Sequence, residues 1–147
     1  METVKLGIIG IGNMGSGHAR SLMEGQVPEL VLTAVADLRE MRRQWARENL
    51  PADVRIFEDG DALIESGCCD AVLVATPHYD HPRLVISALS HGLHAMCEKP
   101  AGVYTKQVRE MNEAAQKSDR VFAMMFNQRT NHVYRKMHEI VHGGEYG

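Results

Sequence analysis

At 147 residues, with 44% hydrophobic and 24% charged content, the chain has material for one real core and is too short for two full-sized domains. A net charge of −3 and 5% aromatics supply neither the field nor the stacking platforms that nucleic acid requires, and no apolar run nears the length of a membrane span. Cys68, Cys69 and Cys97 form no framework spacing, so a reducing, cytoplasmic setting is expected.

The run Val4-Lys5-Leu6-Gly7-Ile8-Ile9 predicts a strand over 4–9, which breaks into Gly10-Ile11-Gly12-Asn13-Met14-Gly15. A helix follows at once, with Met14, His18, Leu22 and Met23 at helical spacing. GxGxxG between strand and helix is a place for a pyrophosphate. Gly10 permits the tight turn, Gly12 presents no side chain to a phosphate, Gly15 lets helix and strand approach, and the helix start offers free N–H groups. Bare glycine punctuation is the alternative reading. What weighs against it is the second strand, 30–36, which ends in Asp37 at the offset of an acid that grips ribose hydroxyls. A carboxylate there favours NAD and repels the additional phosphate of NADP. Arg39, Arg42 and Arg43 crowd the next helix start, either as a solvated basic face continued by Arg47 or as partners of a 2′-phosphate, so NAD is expected with NADP left open.

Met41 and Trp45 mark the second helix, a third strand is expected over 53–57, and Leu63 and Ile64 mark a short third helix. The fourth strand, 70–75, is the unbroken small or branched run of a strand buried on both faces. It runs out into Thr76-Pro77-His78-Tyr79-Asp80-His81. The next helix has Asp80 as capping residue and Pro82 in its first turn, and stops at Gly92. A fifth strand over 93–97 leads into Glu98-Lys99-Pro100. Thr105 is expected to cap a fifth helix with Val108, Met111 and Ala115 inward, before a sixth strand over 121–126. This alternation predicts an α/β domain with a doubly wound parallel sheet, a Rossmann fold, whose strand carboxyl ends line a crevice at the switch point. Asn127 to Asn131 are polar, and Val133, Met137, Ile140 and Val141 give one more helix before Gly143-Gly144-Glu145-Tyr146-Gly147. That helix either folds back on the sheet or awaits something to pack against.

Within it, His138-Glu139-Ile140-Val141-His142 is a literal HExxH, the pattern that puts two imidazoles on one helix face for zinc. His142 falls just before the glycines that should end the helix, and few residues follow to supply a third ligand. A solvent-facing stripe is the reading taken, with no metal. His78 and His81 also have ligand-like spacing, and residues at the edge of a cofactor explain them more simply.

The glycine loop, the acid after the second strand, Thr76-Pro77 with His81 four positions past the proline, Gly92 and Glu98-Lys99-Pro100 occur in one order across the chain. Together they resemble the glucose–fructose oxidoreductase, inositol dehydrogenase and rhizopine catabolism (Gfo/Idh/MocA) family of NAD(P)-dependent oxidoreductases, Glu-Lys-Pro being the most specific element. The resemblance implies a catalytic role for Lys99, beside the nicotinamide and the substrate hydroxyl. His78 stands where the family more often has asparagine, which leaves its contact open. A cofactor shell follows: Gly10, Ile11, Gly12, Asn13, Met14 and Gly15 at the pyrophosphate, Asp37 and Arg39 at the ribose, and Ala75, Thr76, Pro77, His78, His81, Glu98 and Lys99 toward the nicotinamide. His81 is assigned a structural or cofactor-shell role, not that of the base. A lysine aimed into a crevice and partly desolvated loses its proton more easily or hydrogen-bonds a developing alkoxide; its bland alternative is a surface lysine paired with a carboxylate.

The resemblance further implies that residues 1–127 form the dinucleotide-binding domain and 128–147 a connecting segment and helix leading toward a substrate domain absent from this chain. The expected reaction is hydride transfer between nicotinamide and a carbinol carbon of a sugar, polyol or related small hydroxy compound. The alternative is a stand-alone module that holds NAD(P) without turnover. A small-molecule substrate is the expected partner, with no nucleic acid, no membrane, and a homo-oligomer left open.

Overall fold

A computed structural model describes residues 3–144. Six strands, β1 (Val4–Ile9), β2 (Leu30–Ala36), β3 (Arg55–Phe57), β4 (Ala71–Val74), β5 (His94–Glu98) and β6 (Phe122–Met125), form one sheet in the order β3-β2-β1-β4-β5-β6. Every neighbouring pair is parallel. The chain leaves β1 for β2 on one side and later returns to place β4 on the other, so the switch point lies between the carboxyl ends of β1 and β4.

Helices cover both faces because each inner strand alternates apolar side chains to both. Leu73 packs with Leu6, Ile8 and Val35, and with Ala19 of α1 (Asn13–Met23) and Ala46 of α2 (Glu40–Asn49). Its neighbours Val72 and Val74 join the opposite cluster, with Leu63 of α3 (Gly60–Glu65), Leu84 and Leu89 of α4 (His81–Ser90) and Met111 of α5 (Thr105–Lys117). Val108 and Ala115 pack on that cluster beside Met111, the inward row expected of α5.

Two helix starts differ from their sequence expectation. Thr105 is the first helical residue of α5, with extended Tyr104 as its cap. Asp80 does precede α4, but its backbone is already in the right-handed helical region (φ −90°, ψ −14°), and its side chain makes no capping bond. Pro82 in the first turn matches the expectation.

After a short 3₁₀ turn, Asn127–Arg129, the last helix α6 (His132–His142) is capped by Asn131, whose side chain accepts the Val133 N–H at 2.9 Å. Every residue of α6 is exposed, so it does not fold back on the sheet. The expected tail at Glu145-Tyr146-Gly147 lies outside the described residues. Beyond β4, the sheet face shared with α1 is also incompletely roofed. Leu22, Met96, Ala123 and Met125 border an apolar groove of about 260 Å³ there, and Met96 remains 38% exposed.

Candidate cofactor site

The switch-point crevice is built around backbone that tolerates no side chains. Gly10 has φ +92°, donates its N–H to the Ala36 carbonyl at 2.7 Å, and would bring a Cβ to 2.8 Å from both the Ala75 carbonyl oxygen and the Thr76 nitrogen. A Cβ on Gly15 would run into the Gly10 carbonyl, so α1 seats directly on the turn it leaves. Gly12 differs: its nearest neighbour would be the Arg39 guanidinium at 3.9 Å, which leaves open space above the loop. Gly12 is also the N-cap of α1 and supplies no side-chain cap, and the first turn carries no acid. The helix start therefore keeps donors and positive dipole for an anion.

From this loop a cleft of about 590 Å³ runs past the end of β2 and along the start of α4. Asn13, Met14, Asp37, Arg39, Ala75, Thr76 and Pro77 line it, whereas Ile11, Gly15, His78, His81, Glu98 and Lys99 do not. Ile11 is instead wholly buried against β1 and β2 residues. Asp37 is only 8% exposed. Its Oδ2 accepts the Ile11 N–H at 2.9 Å, and its Oδ1 accepts the Arg39 N–H at 2.9 Å and Nε–H at 3.4 Å. The carboxylate thus ties the end of β2 to the glycine loop while keeping lone pairs for a further donor.

Of the three arginines after β2, Arg43 is spent internally. It donates to the carbonyls of Asp37 and Leu38 at 2.8 and 3.0 Å and pairs with Glu40. Arg47 also binds Glu40, and that hydrogen bond chiefly holds the Glu40 carboxyl below the ordinary carboxylate range. Arg39 and Arg42 remain on the cleft. Two buried polar atoms there, Arg42 Nε and Thr76 Oγ1, have no partner among the described residues. Such orphans are rare in finished interiors, and both belong to residues lining the cleft. A dinucleotide with its pyrophosphate over Gly12 and its ribose toward Asp37 fits these vacant donors and this open cradle.

At the ends of β4 and β5 the side chains separate. His78 is exposed and stacks in parallel on the His81 ring, with centroids 5.6 Å apart. His81 is 1% exposed, and both its nitrogens lie 2.8 Å from backbone carbonyls, Nδ1 from Pro100 and Nε2 from Thr76. Glu98 is buried; its Oε1 lies 2.8 Å from His18 Nε2 on α1, and its Oε2 accepts the Lys99 N–H at 3.2 Å. Lys99 is exposed, its ammonium has no hydrogen-bond or ion-pair partner among the described residues, and it is joined to Pro100 by a cis peptide bond. Cys97, one residue before Glu98, is fully buried, and burial pushes its thiol up to about 12, with the Glu98 charge adding to the effect. It is an inert core thiol.

His18 is the member of this constellation that sequence reasoning missed. In the sequence it is one of four residues at helical spacing, and only folding sets its ring against a glutamate 80 positions away. On α6, the His138 and His142 rings lie 4.2 Å apart. Among the described residues, no group of three or more His, Cys, Asp or Glu side chains is arranged to hold a metal ion.

Residues 4–126 match the model of an oxidoreductase family with an NAD-binding Rossmann fold, Gfo/Idh/MocA. The chain belongs to this family. It is 33% identical over 144 residues to the myo-inositol 2-dehydrogenase of Thermotoga maritima, covering 98% of this chain and 42% of that protein. To the rhizopine catabolism protein MocA of Rhizobium meliloti it is 34% identical over 118 residues, 80% of this chain and 35% of the other. The structure of scyllo-inositol dehydrogenase from Lactobacillus casei with bound NAD(H) and scyllo-inositol superposes with a TM-score of 0.89 at 28% identity, covering 99% of this chain and 43% of that one. The chain therefore carries the NAD-binding part of an oxidoreductase family and spans about two fifths of the length of such relatives. No helix among the described residues is long and apolar enough to cross a membrane.

Proposed function

We propose that this chain holds NAD for reversible hydride transfer to and from a carbinol carbon of a sugar, polyol or inositol-like hydroxy compound, with Lys99 as the catalytic residue. The observation that carries the reading is a lysine at the end of β5, unpaired among the described residues, on the same sheet edge as the open cradle above Gly12. The family relationship supports the reaction class, since two of the relatives named above are inositol dehydrogenases. Bound NAD supplies the hydride chemistry. The chain's own part is to hold and to move a proton. Gly12 and the first amides of α1 receive the pyrophosphate, Asp37 receives the adenine ribose, and Ala75, Thr76, Pro77 and His78 border the nicotinamide half. The Lys99 amine hydrogen-bonds the substrate hydroxyl and takes its proton as the carbonyl forms, returning it in the reverse direction.

NAD is the cofactor this arrangement favours. Arg43 and Arg47 are committed to Glu40 and to backbone carbonyls, so Arg39 and Arg42 alone are left to meet a 2′-phosphate beside the Asp37 charge. NADP is accordingly the weaker ligand. Three free cysteines suit a reducing, cytoplasmic setting.

Titration with NADH and NADPH, followed by nicotinamide fluorescence, tests the cofactor half: NADH binds more tightly, and failure of both to bind ends the reading. Lys99→Met in the protein from the complete reading frame tests the chemical half. Its kcat on a polyol is expected to fall about 10²- to 10⁴-fold with NADH affinity unchanged. An unchanged kcat removes Lys99 from the reaction.

A further inference from the structure

We propose that His18 is a positioning residue for Lys99, acting through Glu98: it ties the helix that receives the pyrophosphate to the turn that carries the lysine. A single buried contact between distant segments carries the inference. Side chains alternate along β5, so Cys97 packs in the cluster under α4 and α5 while Glu98 turns to the α1 face, where its register partner Met125 also packs. There the buried Glu98 carboxyl group meets one side chain, with its Oε1 2.8 Å from His18 Nε2. A carboxylate only accepts, so the His18 Nε2–H donates. Among the described residues, no other side chain donates to Glu98.

The two ends of this bond contribute differently. At one end, α1 is held in place, because Gly15 seats against the Gly10 carbonyl with no room for a Cβ. His18 lies about a turn and a half along that helix from the Gly12 cap. At the other end, Glu98 Oε2 accepts the Lys99 N–H at 3.2 Å, which fixes the peptide group from which the lysine side chain departs. Glu98 does not line the cleft, so its side chain serves the turn and leaves the dinucleotide to the glycine loop. Without the His18 donor the carboxyl group is free to swing, and the Lys99 peptide moves with it. A displacement of about 1 Å at a reacting group costs on the order of a hundredfold in rate. The cradle at the start of α1 is untouched by that movement.

This role rests on the reading of Lys99 above, and the experiment separates the two. Two variants carry the same amide and differ in reach: in His18→Gln the side-chain nitrogen can stand where Nε2 stands, and in His18→Asn it stops one methylene short. In the protein from the complete reading frame, kcat on a polyol is expected to stay within about threefold for His18→Gln and to fall on the order of ten- to a hundredfold for His18→Asn, with KM for NADH within about twofold in both. Equal kcat in the two variants, whether both keep it or both lose it, overturns the proposal. A loss of NADH affinity that parallels the loss of kcat overturns it as well, since the damage then lies in α1 and its cradle. If a variant fails to fold, hydrogen exchange of the unaltered 147-residue chain without cofactor decides the matter. The Lys99 amide is expected to exchange at least about tenfold more slowly than in an unstructured peptide. Exchange at the unstructured rate removes the tether and overturns the proposal. If the amide is protected but Lys99→Met leaves kcat unaltered, the tether stands as a brace, and the Lys99 reading falls together with the positioning role.

Discussion

Asp37 braces the glycine loop and also lines the cleft proposed to hold the cofactor. The offset from the glycine loop makes it legible as a ribose acid, but its bond to the Ile11 N–H depends on how β2 registers against β1, which no sequence spacing prints. Replacing it by alanine confuses the two duties, because two backbone donors lose their acceptor at about 1–3 kcal/mol each. Asp37→Asn retains an acceptor and removes the charge. NADH affinity is expected to fall about tenfold in that variant, roughly 1.4 kcal/mol, while NADPH affinity falls less. Parallel fluorescence titrations check this, and an equal loss for both cofactors would reduce Asp37 to a brace for the loop. Resemblance alone placed His81 and Glu98 in the expected cofactor shell, and neither lines the cleft. Their partners, two carbonyls and His18, belong to segments brought together only by the sheet order.

At the scale of elements, the glycine loop and α1 behave as one unit, and two glycines in it separate contact from propensity. A Cβ at position 15 collides with the Gly10 carbonyl, whereas one at Gly17 meets nothing within 4 Å. Gly15→Ala is expected to lower Tm and abolish NADH binding. Gly17→Ala is expected to stabilise by up to about 1 kcal/mol, the gain of alanine over glycine in an exposed helix interior. Thermal melts of the two variants, side by side, check both signs; destabilisation of both would mean that α1 is not seated as described. The strands were legible because apolar runs alternate with helical spacing from end to end. The cap of α5 was not, since Thr105 has the right chemistry for a cap but one residue earlier the backbone is already extended and ready to turn. α6 has strong amphipathic spacing and no partner surface among the described residues, so its pattern announced a helix without saying against what it packs.

For the molecule as a whole, the buried thiols make stability depend on alkaline pH. Burial raises Cys69 and Cys97 from an ordinary value of 9.0 to about 12, so the folded state favours the protonated thiol. The contribution is fully present below pH of about 9, where folded and unfolded chains both carry the proton, and is lost as pH rises from there toward 12. Urea unfolding followed from about pH 7 to pH 10.5 is expected to show falling midpoints over the upper range. The decline is expected to be shallower in Cys97→Ala once its lower neutral-pH stability is subtracted, and an identical slope would show that other groups govern it.

The unroofed groove beside β5 and β6 bears on what a stability measurement on this chain reports. Methionine and leucine side chains border it, and any surface that covers them contributes on the order of 25 cal/mol for each Å² of apolar area removed from solvent. The melting temperature of these 147 residues is therefore a lower bound on that of the same domain once something shelters its bare flank.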